Sequence, residues 1–224
     1  MTGPRVAVVG AGPGGIRAAQ TLVDPGLRPI VIDEGARAGG QIYRRAPEGF
    51  TRPARKLYGP EAGKACALHA CFDRMLAQDL LDYLPQASVL GLTGSGLQVL
   101  APDGLRVVAW DRRIIATGAT DRLAPVPGWQ TAGVFSLEAA QIALKAQGVA
   151  LGRRIMLAGS GPLLTLVAYQ LVKAGACVAA VLDTASLQDQ RRGLPAMLSR
   201  PVLAARGALM RARLARIYHT GVTL

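Results

Sequence analysis

Residues 6–34 read V-A-V-V-G-A-G-P-G-G-I-R-A-A-Q-T-L-V-D-P-G-L-R-P-I-V-I-D-E, and this stretch limits the chain to very few folds. Val6 to Val9 form a short β-prone apolar run, as required of a parallel strand buried on both faces. The chain then turns on glycine. Gly10 permits the tight turn, Gly12 removes the side chain that would block backbone approach to a pyrophosphate, and Gly15 lets the next helix sit close to the strand. Pro13 falls near the first helical position, where its missing N–H costs nothing. Gly10, Ala11, Gly12, Pro13, Gly14 and Gly15 are therefore the candidate phosphate cradle. Ile16 to Val23 carry the helix, Asp24-Pro25-Gly26 end it, and Pro29 to Ile32 form a second strand. That strand delivers an acid, Asp33 or Glu34, 18 or 19 positions after Gly15, to bond a ribose hydroxyl. An acid there favours a ligand with a free 2′-hydroxyl, FAD or NAD, over NADP.

Half of the 224 residues are hydrophobic, enough for a substantial core. No apolar run approaches the roughly 18 residues that span a bilayer, and no secretory leader is visible, so a cytoplasmic location is expected. Three cysteines, Cys66, Cys71 and Cys177, are too few and too scattered for a disulfide framework. The net charge is +12 and uneven, with seven arginines after Asp183 against one acid, Asp189. A solvated arginine-rich helical surface is the first reading of that segment, and a partner-docking surface the second. Nucleic acid ranks last, because no aromatic residues are interleaved for base stacking.

Further along, Gly39-Gly40-Gln41 make a second glycine turn whose backbone is expected to meet phosphate or ribose, with Arg44 and Arg45 near enough to add charge. Residues 46–64 read as an irregular surface excursion, and Ala65 to Tyr83 as a helix with Leu68, Phe72, Met75, Leu76, Leu80 and Tyr83 on one face. Val89 to Leu92 read as a third strand. Leu97 to Leu100 and Leu105 to Trp110 flank the turn Ala101-Pro102-Asp103-Gly104, which predicts a small antiparallel insertion. Arg113 to Gly118 resumes the parallel pattern and places Thr117 and Gly118 at the carboxyl edge, where ligands sit.

Residues 121–133 read as a linker and Ser136 as a helix cap. Arg154 to Ala158 is another apolar strand, and Gly159-Ser160-Gly161-Pro162-Leu163-Leu164 echoes the first cradle 149 positions later. Leu164 replaces its third glycine, so the helix from Pro162 to Ala174 must approach its strand differently. Cys177 to Leu182 form the next strand, ending on Asp183 in the ribose-acid position, which makes Gly159, Gly161 and Asp183 a possible second nucleotide site for NAD(P). The expected class is α/β, a tandem Rossmann-like pair: an FAD-binding domain over 1–122 with the antiparallel insertion, and an incomplete NAD(P)-binding-like domain over 123–224. No strand is expected after Asp183, so the chain is expected to stop inside its second domain.

The runs A-T-G-A-T-D-R-L-A-P-V-P-G-W-Q-T-A-G-V-F-S-L-E-A-A-Q (Ala116 to Gln141), G-R-R-I-M-L-A-G-S-G-P-L-L and I-D-E-G-A-R-A-G-G-Q-I-Y-R together resemble the FAD-containing subunits of hetero-oligomeric amine dehydrogenases. That family includes the opine (octopine and nopaline) oxidase A-subunit, the hydrogen cyanide synthase flavoprotein subunit, and the α subunits of hydroxyproline dehydrogenase and sarcosine oxidase; the broader resemblance is to thioredoxin reductase. It implies FAD on Gly10, Gly12, Gly14, Gly15, Asp33 or Glu34, Gly40, Gln41, the Val89 backbone, Thr117 and Gly118. It further implies oxidation of an amine or amino-acid C–N bond by a complex with a partner flavoprotein subunit, this subunit handling electrons. No catalytic side chain is assigned. The family usually continues for a comparable further length, so a truncated subunit is expected.

Cys66 and Cys71, five apart, lie about 140° apart around a helix and cannot form a facing pair. His69 and His219 are isolated, so neither a metal site nor a Ser-His-acid arrangement is expected. Two alternatives stay open: a stand-alone NAD(P)H-dependent flavin reductase using Gly159 to Leu164, and a non-functional truncated gene product.

Overall fold

The computed structural model describes residues 3–46, 49–50, 52–94 and 96–224. Two compact units, Met1–Thr120 and Asp121–Leu224, divide it. The first runs β1 (Val6–Val9), α1 (Pro13–Val23), β2 (Ile30–Ile32), α2 (Ala54–Tyr58), α3 (Ala62–Ala77), β3 (Asp82–Leu84), β4 (Ser88–Thr93), β5 (Gly96–Ala101), β6 (Gly104–Val108) and β7 (Arg112–Ile115). Four strands form a parallel sheet in the order β3-β2-β1-β7, with Val9 opposite both Ile32 and Ile115.

Successive side chains on a strand face opposite ways, and β1 has both faces covered. Val8 and Val31 pack with Ile16 and Ala19 of α1 and Leu68, Phe72 and Met75 of α3. Ala7, Val9 and Ile32 pack instead on Leu97, Val99 and Val108. Those last residues belong to the separate antiparallel sheet β4-β5-β6, so the predicted insertion roofs the second face of the Rossmann sheet. This double covering is why Val6 to Val9 is apolar without alternation.

Two expectations are corrected. The third parallel strand is β3, not Val89 to Leu92, which lie in β4 of the antiparallel sheet. The expected helix through Tyr83 ends at Ala77, because the chain reverses through Asp79 in a left-handed conformation (φ 55°). Arg28 fastens that reversal with a bidentate contact to Asp79 and a bond to Asp82. Leu68, Phe72 and Met75 are buried as expected, whereas Leu76 and Leu80 are exposed. The excursion over 46–64 contains α2 and a 3₁₀ turn, Gly59–Glu61, while residues 47, 48 and 51 lie outside the described residues.

The second unit runs α4 (Leu137–Ile142) into a π-helical turn (Ala143–Gln147), then β8 (Arg154–Gly159), α5 (Pro162–Lys173), β9 (Cys177–Asp183), α6 (Leu187–Leu198), α7 (Pro201–Arg213) and β10 (Tyr218–Thr220). Ser136 caps α4 as expected, its Oγ accepting from Ala139 N–H at 3.0 Å. The sheet is parallel with order β10-β9-β8. Leu157, Leu164, Val167, Leu171, Val181 and Leu214 form its core. β10 overturns the expectation of no strand after Asp183: Tyr218, His219 and Thr220 pair with Val181, Leu182 and Asp183. Among the described residues no helix is long and apolar enough to cross a membrane.

Phe72 is 1% exposed and stacks edge-on against Tyr83 at 5.0 Å. Phe72→Ala is expected to lower stability in urea unfolding by about 3–5 kcal/mol, and Leu76→Ala on the open side of the same helix by less than about 0.5 kcal/mol.

Candidate dinucleotide site

The glycines of the first turn divide into two kinds. A Cβ on Gly15 would collide with the Gly10 carbonyl oxygen, and one on Gly10 with the Ala116 carbonyl. These two let α1 start directly against β1 and β7. A Cβ on Gly12, by contrast, would meet nothing closer than the Gly40 Cα at 3.7 Å, and one on Gly14 nothing within 4 Å. Gly12 also sits at φ −74°, a conformation open to any residue. Packing therefore does not require glycine at 12 or 14; what their bareness provides is open backbone at the N-terminus of an eleven-residue helix. That terminus has no side-chain cap and no acid in its first turn, so its N–H groups and positive dipole end suit a pyrophosphate.

The acid is placed as well. Asp33 accepts from Ala11 N–H and, at 2.7 Å, from Gly35 N–H, so its carboxylate is tied to the glycine turn and is half-buried. Glu34 is exposed and makes no bond to that turn. Each oxygen of Asp33 keeps a lone pair for a further donor. Around it, Gly10 N–H bonds Ile32 O at 2.7 Å, and Ala87 N–H bonds Asp33 O at 2.9 Å, which starts β4 and Val89 from the acid end of β2.

Gly39-Gly40 lies against this turn. Gly39 N–H donates to Ala11 O at 2.8 Å, and a Cβ on Gly40 (φ +60°) would sit 2.7 Å from the Gly12 Cα. Gln41 reaches across to donate to Ala119 O at 3.1 Å, tying this loop to the segment after β7 that holds Thr117 and Gly118. The structure thus brings together residues 10–15, Asp33, Gly40, Gln41, Thr117 and Gly118 along one sheet edge.

Three residues shape the second loop that the sequence did not single out for this work. His69 on α3 donates to Tyr43 O at 2.8 Å, and Tyr58 donates to Arg44 O at 2.9 Å. Arg45, expected to face an anion, is instead spent on Asp73 at 2.7 and 3.0 Å and on Ala38 O. Apart from the Arg45 bond to Ala38, these contacts join residues 14 to 28 apart, which no local pattern encodes.

The second turn differs. Its N-cap Gly161 has φ +91°, where Gly12 is extended, and Leu164 at the third-glycine position is buried. Asp183 is 4% exposed and accepts from Ala185 N–H at 2.9 Å and from the Tyr218 hydroxyl at 2.8 Å. Cys66, Cys71 and Cys177 are all free, and Cys66 is exposed while Cys71 is buried. Among the described residues no cluster fits a metal.

A parallel sheet with a glycine turn, an uncapped helix N-terminus and an acid held beside them at its carboxyl edge defines a dinucleotide-binding fold. Residues 4–207 match the pyridine nucleotide-disulphide oxidoreductase family, and the chain belongs to that family. FAD is the cofactor that goes with this membership. The opine oxidase A-subunit of Rhizobium meliloti is 43% identical over 190 residues, covering 80% of this chain and 35% of that protein. The opine oxidase A-subunit of Agrobacterium tumefaciens is 39% identical, covering 92% and 42%, and a hydrogen cyanide synthase subunit of Pseudomonas protegens is 34% identical, covering 92% and 44%. The chain thus spans less than half the length of these relatives. In fold it is similar to L-proline dehydrogenase from P. horikoshii (TM-score 0.60, 24% identity, 80% of this chain and 35% of that one).

Gly12→Val is expected to abolish FAD uptake in a flavin titration while leaving the melting temperature nearly unchanged, and Gly15→Ala to lower the melting temperature steeply. Burial holds the His69 imidazole below its usual pKa, so the folded state binds its proton less readily than the unfolded chain. The melting temperature is therefore expected to fall as pH drops below about 6.5, and His69→Gln to flatten that fall.

Proposed function

We propose that the chain is the FAD-holding part of a flavoprotein subunit in a hetero-oligomeric oxidoreductase that oxidises the C–N bond of an amine, opine or amino acid. The observation that carries the cofactor assignment is the open space over Gly12 and Gly14 at an uncapped helix N-terminus, with Asp33 fixed beside it. FAD supplies two-electron chemistry that no side chain here offers. The chain's own part is binding. Gly12, Gly14 and the start of α1 hold the pyrophosphate, and Asp33, rather than Glu34, accepts from the ribose. Gly40, Gln41, the Val89 backbone, Thr117 and Gly118 line the remainder.

The C–N reading draws on the relatives, two named as opine oxidase subunits and one as a hydrogen cyanide synthase subunit. Their names as subunits support a partner chain for this one. The cysteines argue against a disulfide reductase, since Cys66 and Cys71 are both free and, five apart on α3, lie about 140° apart around it.

The chain purified after co-expression with its neighbouring gene product is expected to carry flavin and to pass electrons to an artificial acceptor with secondary amines or opines as donors. Flavin-loaded complex that is inert toward the whole amine panel but bleached rapidly by NADH would contradict the C–N assignment.

A further inference from the structure

The two units repeat one arrangement with one change. In each, a tyrosine on the third strand pairs with the residue two positions before the acid: Tyr83 opposite Val31, before Asp33, and Tyr218 opposite Val181, before Asp183. Each acid also accepts from the N–H two residues on, Gly35 or Ala185. The remaining oxygen is used differently. Asp33 takes Ala11 N–H of its glycine turn, and the Tyr83 hydroxyl, buried, has no hydrogen-bond partner among the described residues. Asp183 takes the Tyr218 hydroxyl and bonds no N–H of Gly159 to Gly161.

The cause lies on the first turn of the helix. Gly15 and Ile16 in the first unit correspond to Leu164 and Thr165 in the second. Gly15 allows α1 to seat on β1, drawing Ala11 to the acid, and Ile16 offers a tyrosine nothing to bond. Leu164 cannot seat in that way. Thr165 lies 3.0 Å from the Tyr218 hydroxyl, to which it donates once the phenol donates to Asp183. The Arg211 guanidinium lies over the Tyr218 ring, 4.5 Å from its centroid, and holds it in place.

We propose that Tyr218 closes the second glycine turn to nucleotides: its phenol lies against Asp183, which is only 4% exposed, so no ribose reaches the lone pairs that its oxygens keep, whereas Asp33 is half-buried and stays open to one. The residues of the second unit therefore do not fit NAD(P), and any dinucleotide that the chain binds sits on the first turn. This rests on the second unit alone and stands whether or not the first holds FAD.

The test is a fluorescence titration of the chain, saturated with FAD, with NADH and NADPH up to roughly 1 mM, repeated on Gly12→Val. No saturable binding is expected, and any that Gly12→Val removes belongs to the first turn. Saturable binding that survives Gly12→Val overturns the proposal. Thermal melts give a second reading: Tyr218→Phe and Asp183→Asn each lower the melting temperature, and the double variant lowers it no further than the worse single one. Additive losses, or no loss from Tyr218→Phe, would also overturn it. Loss of FAD with the second turn still refusing NADH would fault the flavin assignment only.

Discussion

The whole nucleotide site depends on one close approach, that of the Gly15 Cα to the Gly10 carbonyl at the seam between β1 and α1. Because no side chain stands there, the helix begins at the strand's end and its N-terminus reaches the sheet edge. Everything else at that edge is referred to this seam. Gly39 and Gly40 pack on Ala11 and Gly12, Asp33 reaches Ala11, and Gln41 draws in the chain beyond β7. The hydrophobic burial of α1 and α3 on Val8 and Val31 stabilises the arrangement, the bare Gly15 lets the helix start at the strand's end, and the uncovered backbone at Gly12 and Gly14 leaves that end open to an anion.

In the second unit that contact is lost, and the acid changes partner. Its strand, helix, strand and acid recur in order, and its core is as apolar as the first. With Leu164 at the seam, Asp183 finds a phenol instead of a glycine-turn amide. A buried carboxylate needs donors, and either set supplies them. The two halves therefore satisfy the same constraint in two ways, one leaving room for a ligand and one not.

Much of the fold was legible in the sequence because its signals are local. The apolar run 6–9, the glycine spacing, the acid after the second strand and the turn at 101–104 each sit within a few residues, and the structure carries the elements they predict. The misses share a cause. β3 and β10 are three residues long and mixed in character, Asp-Tyr-Leu and Tyr-His-Thr, so neither shows a period. What makes them strands is the edge of a sheet already formed. At the site, the turn residues were readable, but the choice of Asp33 over Glu34 depended on which acid the β2 register turns toward Ala11. The roles of His69, Arg45 and Tyr218 depended on contacts across tens of residues.

The most direct measurement of the central claim is the nucleotide content of the purified chain, separated from any other flavoprotein, released by denaturation and resolved by chromatography. The structure predicts one FAD per chain and no pyridine nucleotide. Release of no FAD, or of one FAD together with one NAD(P) per chain, would contradict it.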